Sequence, residues 1–290
     1  MPEARPPAAQ SRWQAQALWQ QLAPLLPGLS VEVLARTDST NTELLARARG
    51  SGSPDLAARG RRSADLQACL LVAEQQTRGR GRLGRDWRSS ADSSLTFSLS
   101  LPLAPRAPSA WSGLSLAVGC ALADALEPAM PARPRLLLKW PNDLWLRDAA
   151  APPGGRKLGG ILIETAPVGE HRFAVIGIGL NVHALPSDGL SHGLASVDEL
   201  DPAATPPAVL AQLALPLAKA LRRFEAEGFG AFAAAFARRD LLAGRALRTT
   251  GASTLAGTGA GVDADGALRV RSADGRLHLV ASGEVSVRPC

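Results

Sequence analysis

The chain has 290 residues, 46% hydrophobic and 20% charged, which is enough apolar material for a substantial core and excludes a disordered or fibrous class. Its formal charge of +6, from 32 Lys and Arg against 26 Asp and Glu, is compatible with an anionic ligand or a nucleic acid and says nothing of fold. Three widely spaced cysteines (Cys69, Cys120, Cys290) argue against a disulfide framework or a zinc cluster, and with no apolar leader and no membrane-length run a soluble cytoplasmic protein is expected.

Residues 1–12 are rich in Pro and Ala and are expected to lack fixed structure. "WQAQALWQQLAPLL" predicts a short helix stopped by Pro24 and Pro27. A strand over 31–37 then meets a helix opening at "STNTELLARAR", where Thr40 and Glu43 have the spacing of a capping box. Residues 50–66 read as a surface loop. "QACLLVAEQQ" is a buried strand that runs into "TRGRGRLGRDW", and "SLTFSLSLPL" is the strand that leaves it. Helical spacing covers 109–128, followed by a proline-rich turn at 131–134. Next come "RLLLKW", "DLWL", a loop over 148–156, and the strands "KLGGILIETA" and "HRFAVIGIGLNV". Residues 206–240 are expected to be helical despite Pro216, and from Gly244 onward short strands and Gly/Asp turns suggest a small β-barrel. The division that follows is 1–30 as an N-terminal extension, 31–243 as the main domain and 244–290 as the barrel.

Rare letters mark positions where a substitute does not serve. Only three of the 32 basic residues are lysine (Lys139, Lys157, Lys219), and only three asparagines occur (Asn41, Asn142, Asn181). A compact ammonium and a guanidinium are not interchangeable against a single oxygen. Five of these six residues fall in short segments: "DSTNTE" (38–43), "KWPNDLW" (139–145), "KLGGILIE" (157–164) and "GIGLN" (177–181). Lys139, Asn142 and Asp143 together suit phosphates and a metal-bound nucleotide. Lys157 heads an apolar strand, either as a strand-end lysine that reaches out to solvent or as one held at a pocket mouth and aimed at one oxygen of a carboxylate or phosphate. The glycines of "KLGG" and "GIGLN" suggest room for a flat ligand against the sheet.

"RGRGRLGRDW" (78–87) satisfies G-x-G-x-x-G, yet a strand rather than a helix follows it, which removes the dinucleotide reading. One copy between strong strands also does not fit a repetitive RNA-binding tail. Two readings stay open, a plain solvated hairpin and a mobile cover for an anionic ligand, in which arginines pair with phosphate or carboxylate oxygens.

In that order, "EQQTRGRGRLGRDW", "KWPNDLW", "KLGGILIE" and "GIGLNV", with "DSTN" upstream, resemble a biotin–protein ligase of the biotin–acetyl-CoA-carboxylase type, over about residues 31–290. The resemblance implies an α/β (α+β) fold: a mixed β-sheet with helices packed on it, and a small SH3-like β-barrel at the C-terminus. It implies formation of biotinyl-5′-AMP from biotin and MgATP, then transfer of biotin to a lysine of a biotin carboxyl carrier domain, with no tightly bound cofactor or metal. By the same resemblance Ser39, Thr40, Asn41 and Gln76 contact the biotin ring, and Arg80, Gly81 and Arg82 close over it. Lys157 bridges the biotin carboxylate and the α-phosphate; Lys139, Asn142 and Asp143 serve the phosphates; Trp87 and Asn181 lie on the nucleotide side. Catalysis is expected from Lys157, Arg82, Lys139 and Asp143. Leu83 stands where the family often has another arginine, and "SSAD" (89–92) replaces a commoner Ser-Pro turn. Lipoate ligases share the fold but are not expected to carry the loop in this form. With about 30 residues before the first strand, no winged-helix DNA-binding domain is expected, and the protein should be a monomer or weak homodimer without specific DNA or membrane binding. The reading from a different class is a basic nucleic-acid-binding protein.

Overall fold

A computed structural model describes residues 11–49, 67–104, 111, 113–129, 131–151, 154–168, 171–186, 193–250, 254–281 and 286–289. The expected loop 50–66 lies outside them, as does most of the 1–12 segment, although Ser11 and Arg12 are helical and Arg12 is ion-paired with Glu74 and Asp92.

In chain order the strands are β1 (Ser30–Thr37), β2 (Cys69–Gln76), β3 (Gly79–Arg80), β4 (Asp86–Trp87), β5 (Ser94–Leu103), β6 (Leu136–Lys139), β7 (Asp143–Arg147), β8 (Gly155–Val168) and β9 (His171–Asn181). Seven of them form one sheet of order β1-β2-β5-β9-β8-β7-β6. β1 and β2 are parallel and every other neighbouring pair is antiparallel, so the sheet is mixed. β3 and β4 pair only with each other. The helices are α1 (Ala15–Leu22), α2 (Thr40–Ala48), α3 (Leu114–Leu126), α4 (Pro206–Glu227) and α5 (Ala233–Arg239).

Alternation along the strands decides which face goes where. Leu95, Phe97, Leu99 and Leu101 of β5, with Ile176, Ile178 and Leu180 of β9, join the large apolar cluster that also contains residues of α1, α3 and α4. The opposite row of β5 is Ser94, Thr96, Ser98 and Ser100, all at most 3% exposed. At one end of this second face Leu44, Leu45 and Ala48 of α2 pack on Leu71, Phe173 and Val175. Between α2 and the opposite rim the face is polar and glycine-bearing.

The predicted helix over 206–240 is broken. α4 is capped by Thr205, carries Pro216 without ending, and stops at Gly228, whose φ of 72° leaves the helical region. A 3-10 turn (Phe229–Phe232) then redirects the chain into α5.

After α5 follow β10 (Ala246–Thr250), β11 (Ala256–Val262), β12 (Leu268–Arg271), β13 (Leu277–Val280) and β14 (Ser286–Pro289). They form an antiparallel sheet of order β13-β12-β11-β10-β14. This is the small C-terminal β unit expected from the sequence, and among the described residues no pairing of β13 with β14 closes it. Its buried residues Leu247, Leu268, Val270 and Val287 belong to the same apolar cluster as the main sheet. At the joint Trp140 Nε1 donates to Gly266 O at 3.0 Å, and a Cβ on Gly266 would stand 2.7 Å from the Gly113 Cα. Asp240 also lies there; its Oδ1 accepts from Leu242 N at 2.8 Å, Oδ2 has no hydrogen-bond partner among the described residues, and burial pushes this carboxyl up to about 6.

Candidate active site

The N-terminus of α2 is capped by Ser39, whose Oγ accepts from Thr42 N at 3.5 Å. The predicted Thr40–Glu43 capping box does not form, because the end of β2 brings Gln76 over the helix start. Gln76 Oε1 accepts from Thr40 N at 2.8 Å and from Thr40 Oγ1 at 3.1 Å, while Glu43 pairs with Arg47 one turn on. Asn41 donates both amide hydrogens, to Leu162 O and to Glu164 Oε2, each at 3.0 Å. That turns Asn41 Oδ1 to Ser98, whose Oγ lies 2.6 Å from it and 2.7 Å from Thr40 Oγ1. Ser39, Thr40, Asn41 and Ser98 are all at most 3% exposed. A neutral, internally satisfied floor results.

Across the sheet the polar groups are charged. The β6–β7 turn holds Trp140-Pro141-Asn142, with a cis Trp140–Pro141 bond. Asp143 and Lys157 meet here: Lys157 Nζ lies 2.8 Å from Asp143 Oδ1. The register of β7 on β8 shifts between Leu144 and Trp145, so that Lys157 falls opposite Trp145 while Asp143 falls opposite Gly160. Lys139 sits 5.2 Å from the Trp145 ring centroid, a cation–π distance.

The arginine–glycine loop is the β3–β4 hairpin, with a 3-10 turn at Arg82–Gly84 and Gly81 N bonded to Arg85 O at 2.7 Å. Leu83 has φ 57° and is 49% exposed, a left-handed position that is costly for a branched residue. Arg80 is tied to Glu164 at 3.1 Å and Thr42 at 3.4 Å. Arg82 is more buried; desolvation pulls its guanidinium below the ordinary arginine value, Asp143 opposing, and it stays charged at neutral pH.

These parts enclose a cavity of about 670 Å³ lined by Ser39, Thr40, Asn41, Gln76, Arg80, Gly81, Arg82, Trp87, Lys139, Asn142, Asp143, Lys157 and Asn181. All thirteen residues to which the resemblance assigns a site role thus line one space, whereas Lys219 lies on α4. The room inferred from the glycines is partly filled, however. A Cβ on Gly177 would stand 2.2 Å from Asn41 Oδ1, and one on Gly179 2.4 Å from the Trp87 ring. Those two glycines admit protein side chains, whereas a Cβ on Gly160 would meet nothing closer than 3.5 Å.

The three asparagines share a structural task. Asn41 bonds Leu162 O, Asn142 bonds Ile161 O at 2.7 Å, and Asn181 bonds Ala195 O at 3.0 Å and Lys157 O at 3.4 Å. All three hold the backbone of β8, the strand that carries Lys157. Sequence reasoning did not single out Glu164, Ser98, Leu185, Leu194 or Val287. Val287 brings the C-terminal sheet to the cavity wall. The alternating Ser/Thr row of β5 was the available signal for Ser98.

Residues 33–181 match the Biotin/lipoate A/B protein ligase family and residues 246–288 the Biotin protein ligase C terminal domain. The chain belongs to the biotin/lipoate protein ligase family. A biotin–[acetyl-CoA-carboxylase] ligase of Paracoccus denitrificans is 35% identical over 268 residues, covering 86% of this chain and 98% of that one. One from Mycobacterium tuberculosis is 39% identical over 176 residues, 60% of this chain but 53% of that relative. A solved biotin protein ligase from Aquifex aeolicus, in complex with biotin and ATP, superposes with a TM-score of 0.68 at 24% identity, over 90% of this chain and 99% of that one. Among the described residues no helix is long and apolar enough to cross a membrane.

Proposed function

We propose that this chain is an ATP-dependent biotin–protein ligase that makes biotinyl-5′-AMP and then biotinylates a lysine of a biotin carboxyl carrier domain. The observation that carries the reading is the cavity itself: a neutral hydrogen-bonded floor at one end, and at the other Lys157 with Asp143, Lys139 and Arg82. Biotin has the matching asymmetry, a neutral ring at one end and a carboxylate at the other. The volume suits a ligand of adenylate size.

The floor fixes donors and acceptors in advance. Gln76 spends Oε1 on Thr40 and keeps its Nε2 hydrogens, while Asn41 spends its hydrogens and keeps a lone pair on Oδ1. An acceptor and donors fixed in this way suit a cyclic urea. Ser39, Thr40, Asn41 and Gln76 hold this ring, and Arg80 and Gly81 cover it. In the first step the biotin carboxylate attacks the α-phosphate and pyrophosphate leaves. Two anions must meet, so Lys157 and Arg82 offset their repulsion and the charge that develops on the phosphate. Lys139, Asn142 and Asp143 orient the outer phosphates, and Trp87 and Asn181 bound the nucleotide side. Magnesium enters with the nucleotide as part of the substrate, and Asp143 would offer it a carboxylate oxygen. In the second step an amine of the carrier attacks the acyl carbon and AMP leaves.

Residues 1–30, 31–243 and 244–290 serve as the working division of the chain, and the two family matches fall within the second and third segments. The reaction belongs in the cytoplasm, with the protein as a monomer or weak homodimer. Sequence-specific DNA recognition is not part of this reading; a salt-resistant gel shift on a defined operator would overturn that. The central test is incubation with MgATP and either biotin or lipoate, following pyrophosphate release and then label transfer to a carrier domain. Release with biotin but not lipoate is expected, and the reverse preference would sink the assignment.

A further inference from the structure

We infer that Glu164 is a positioning residue for the biotin side, acting through Asn41 and Arg80; the inference rests on the ligase reading above. Glu164 lies at the far end of the "KLGGILIE" stretch from Lys157. Its two carboxylate oxygens face different parts of the site. Oε2 accepts from Asn41 Nδ2 in the floor at 3.0 Å, and Oε1 accepts from Arg80 NH2 in the hairpin at 3.1 Å. Arg80 NH1 also donates to Thr42 Oγ1, at the first turn of α2.

Two consequences follow from this geometry. The first concerns the Asn41 amide. Its nitrogen faces β8 because Glu164 and Leu162 O both accept there, and only then does Oδ1 point to Ser98. Without the carboxylate, half of that preference is gone and the amide is free to turn, exchanging an acceptor for a donor beside the bound ring. The second concerns the hairpin. β3 and β4 are two residues each and pair with no strand of the main sheet. The Arg80–Glu164 pair fastens the hairpin to the floor. Arg80 therefore acts as a fastener with its charge compensated. With side-chain exposures of 48% and 23%, the pair opens at modest cost, as a cover that must admit substrate requires.

The test measures biotinyl-adenylate dissociation and biotin KM in Glu164→Ala, Glu164→Gln, Arg80→Ala and the Glu164→Ala/Arg80→Ala double variant, with thermal melts as a fold control. Glu164→Ala should release the adenylate about tenfold faster and raise biotin KM more than it lowers kcat. Glu164→Gln retains an acceptor for Asn41 but turns an N–H toward Arg80, and should show the faster release with a smaller rise in KM. The double variant should be less impaired than the two single effects added together. Wild-type release from both Glu164 variants, or strict additivity with Arg80→Ala, overturns the inference. Glu164→Gln supplies the readout if Glu164→Ala does not fold. A wild-type protein that releases no pyrophosphate with biotin and MgATP instead fails the functional reading, an outcome distinct from normal release by the variants.

Discussion

At the floor of the cavity Thr40, Asn41 and Ser98 are buried and spend their hydrogen bonds on one another, on Gln76 and on β8. At the opposite rim Lys157 and Asp143 are 19% and 18% exposed, and the groups are charged. The buried Trp87 Nε1 has no hydrogen-bond partner among the described residues. The floor is ordered without a ligand and keeps only a few donors and acceptors for one, whereas the rim holds charges opposite one another until an anion arrives. Recognition of a neutral ring benefits from a site whose donors and acceptors are fixed beforehand. A step that joins two anions benefits from charge held ready and partly desolvated.

The comparison makes its strongest statement at Lys157. Lys157→Ala should cut adenylate formation by about a hundredfold or more while leaving biotin binding measurable, because one charge-assisted contact in a closed site is lost and the floor is untouched. Pyrophosphate release near the wild-type rate would remove the rim from the chemistry. Truncation after Ala243 comes next. Trp140, beside the rim turn, donates to Gly266 O, and Val287 lines the cavity, so loss of the C-terminal sheet should lower pyrophosphate release and carrier biotinylation together. A folded truncated enzyme that adenylates normally but fails only at the carrier would confine the C-terminal sheet to docking.

Two glycines on the same strand separate the ends more finely. Gly177→Ala drives a methyl into Asn41 and should raise biotin KM; Gly179→Ala drives one into Trp87 and should raise ATP KM instead. Each should destabilise the fold by roughly 1–3 kcal/mol. Interchanged effects would mean that floor and rim have been assigned the wrong way round. The smallest effect expected is at Asp240, away from both ends. Burial holds its folded-state value at about 6, above the ordinary value of 3.8, so its contribution to stability is full below the ordinary value and is lost as pH rises through the raised one. Asp240→Asn should therefore raise the melting temperature more at about pH 7.5 than near pH 4.5. An equal gain at both would show that the carboxyl does not titrate in this way.

Much of the site was legible because this chain writes arginine almost everywhere. In that background Lys139, Lys157, Asn41, Asn142 and Asn181 stand out, and all five line the cavity. What rarity could not reveal was their partners. The asparagines were read as ligand contacts, and each is also committed to the backbone of β8. Glu164 and Ser98 escaped notice because glutamate and serine are common letters here. A Ser/Thr row along β5 reads as a solvated strand face until α2 and the hairpin are seen to cover it. Strands and helices were mostly legible from their periodicity; pairing order was not, because it depends on contacts distant in sequence. The capping box failed for the same reason, since a glutamine 36 positions away supplied the acceptor.

Gly113 and Gly266 meet with no side chain between them. Spacers of that kind are what normally let two packed units slide and resettle after a substitution. Here even one methyl at residue 266 would wedge against backbone, and the wedge would be transmitted through the Gly266–Trp140 hydrogen bond to the turn beside Asn142. A saturation library at this joint should therefore be depleted as severely as one at Lys157, although neither glycine lines the cavity. The variants lost there should be deficient in nucleotide use before they are deficient in folding.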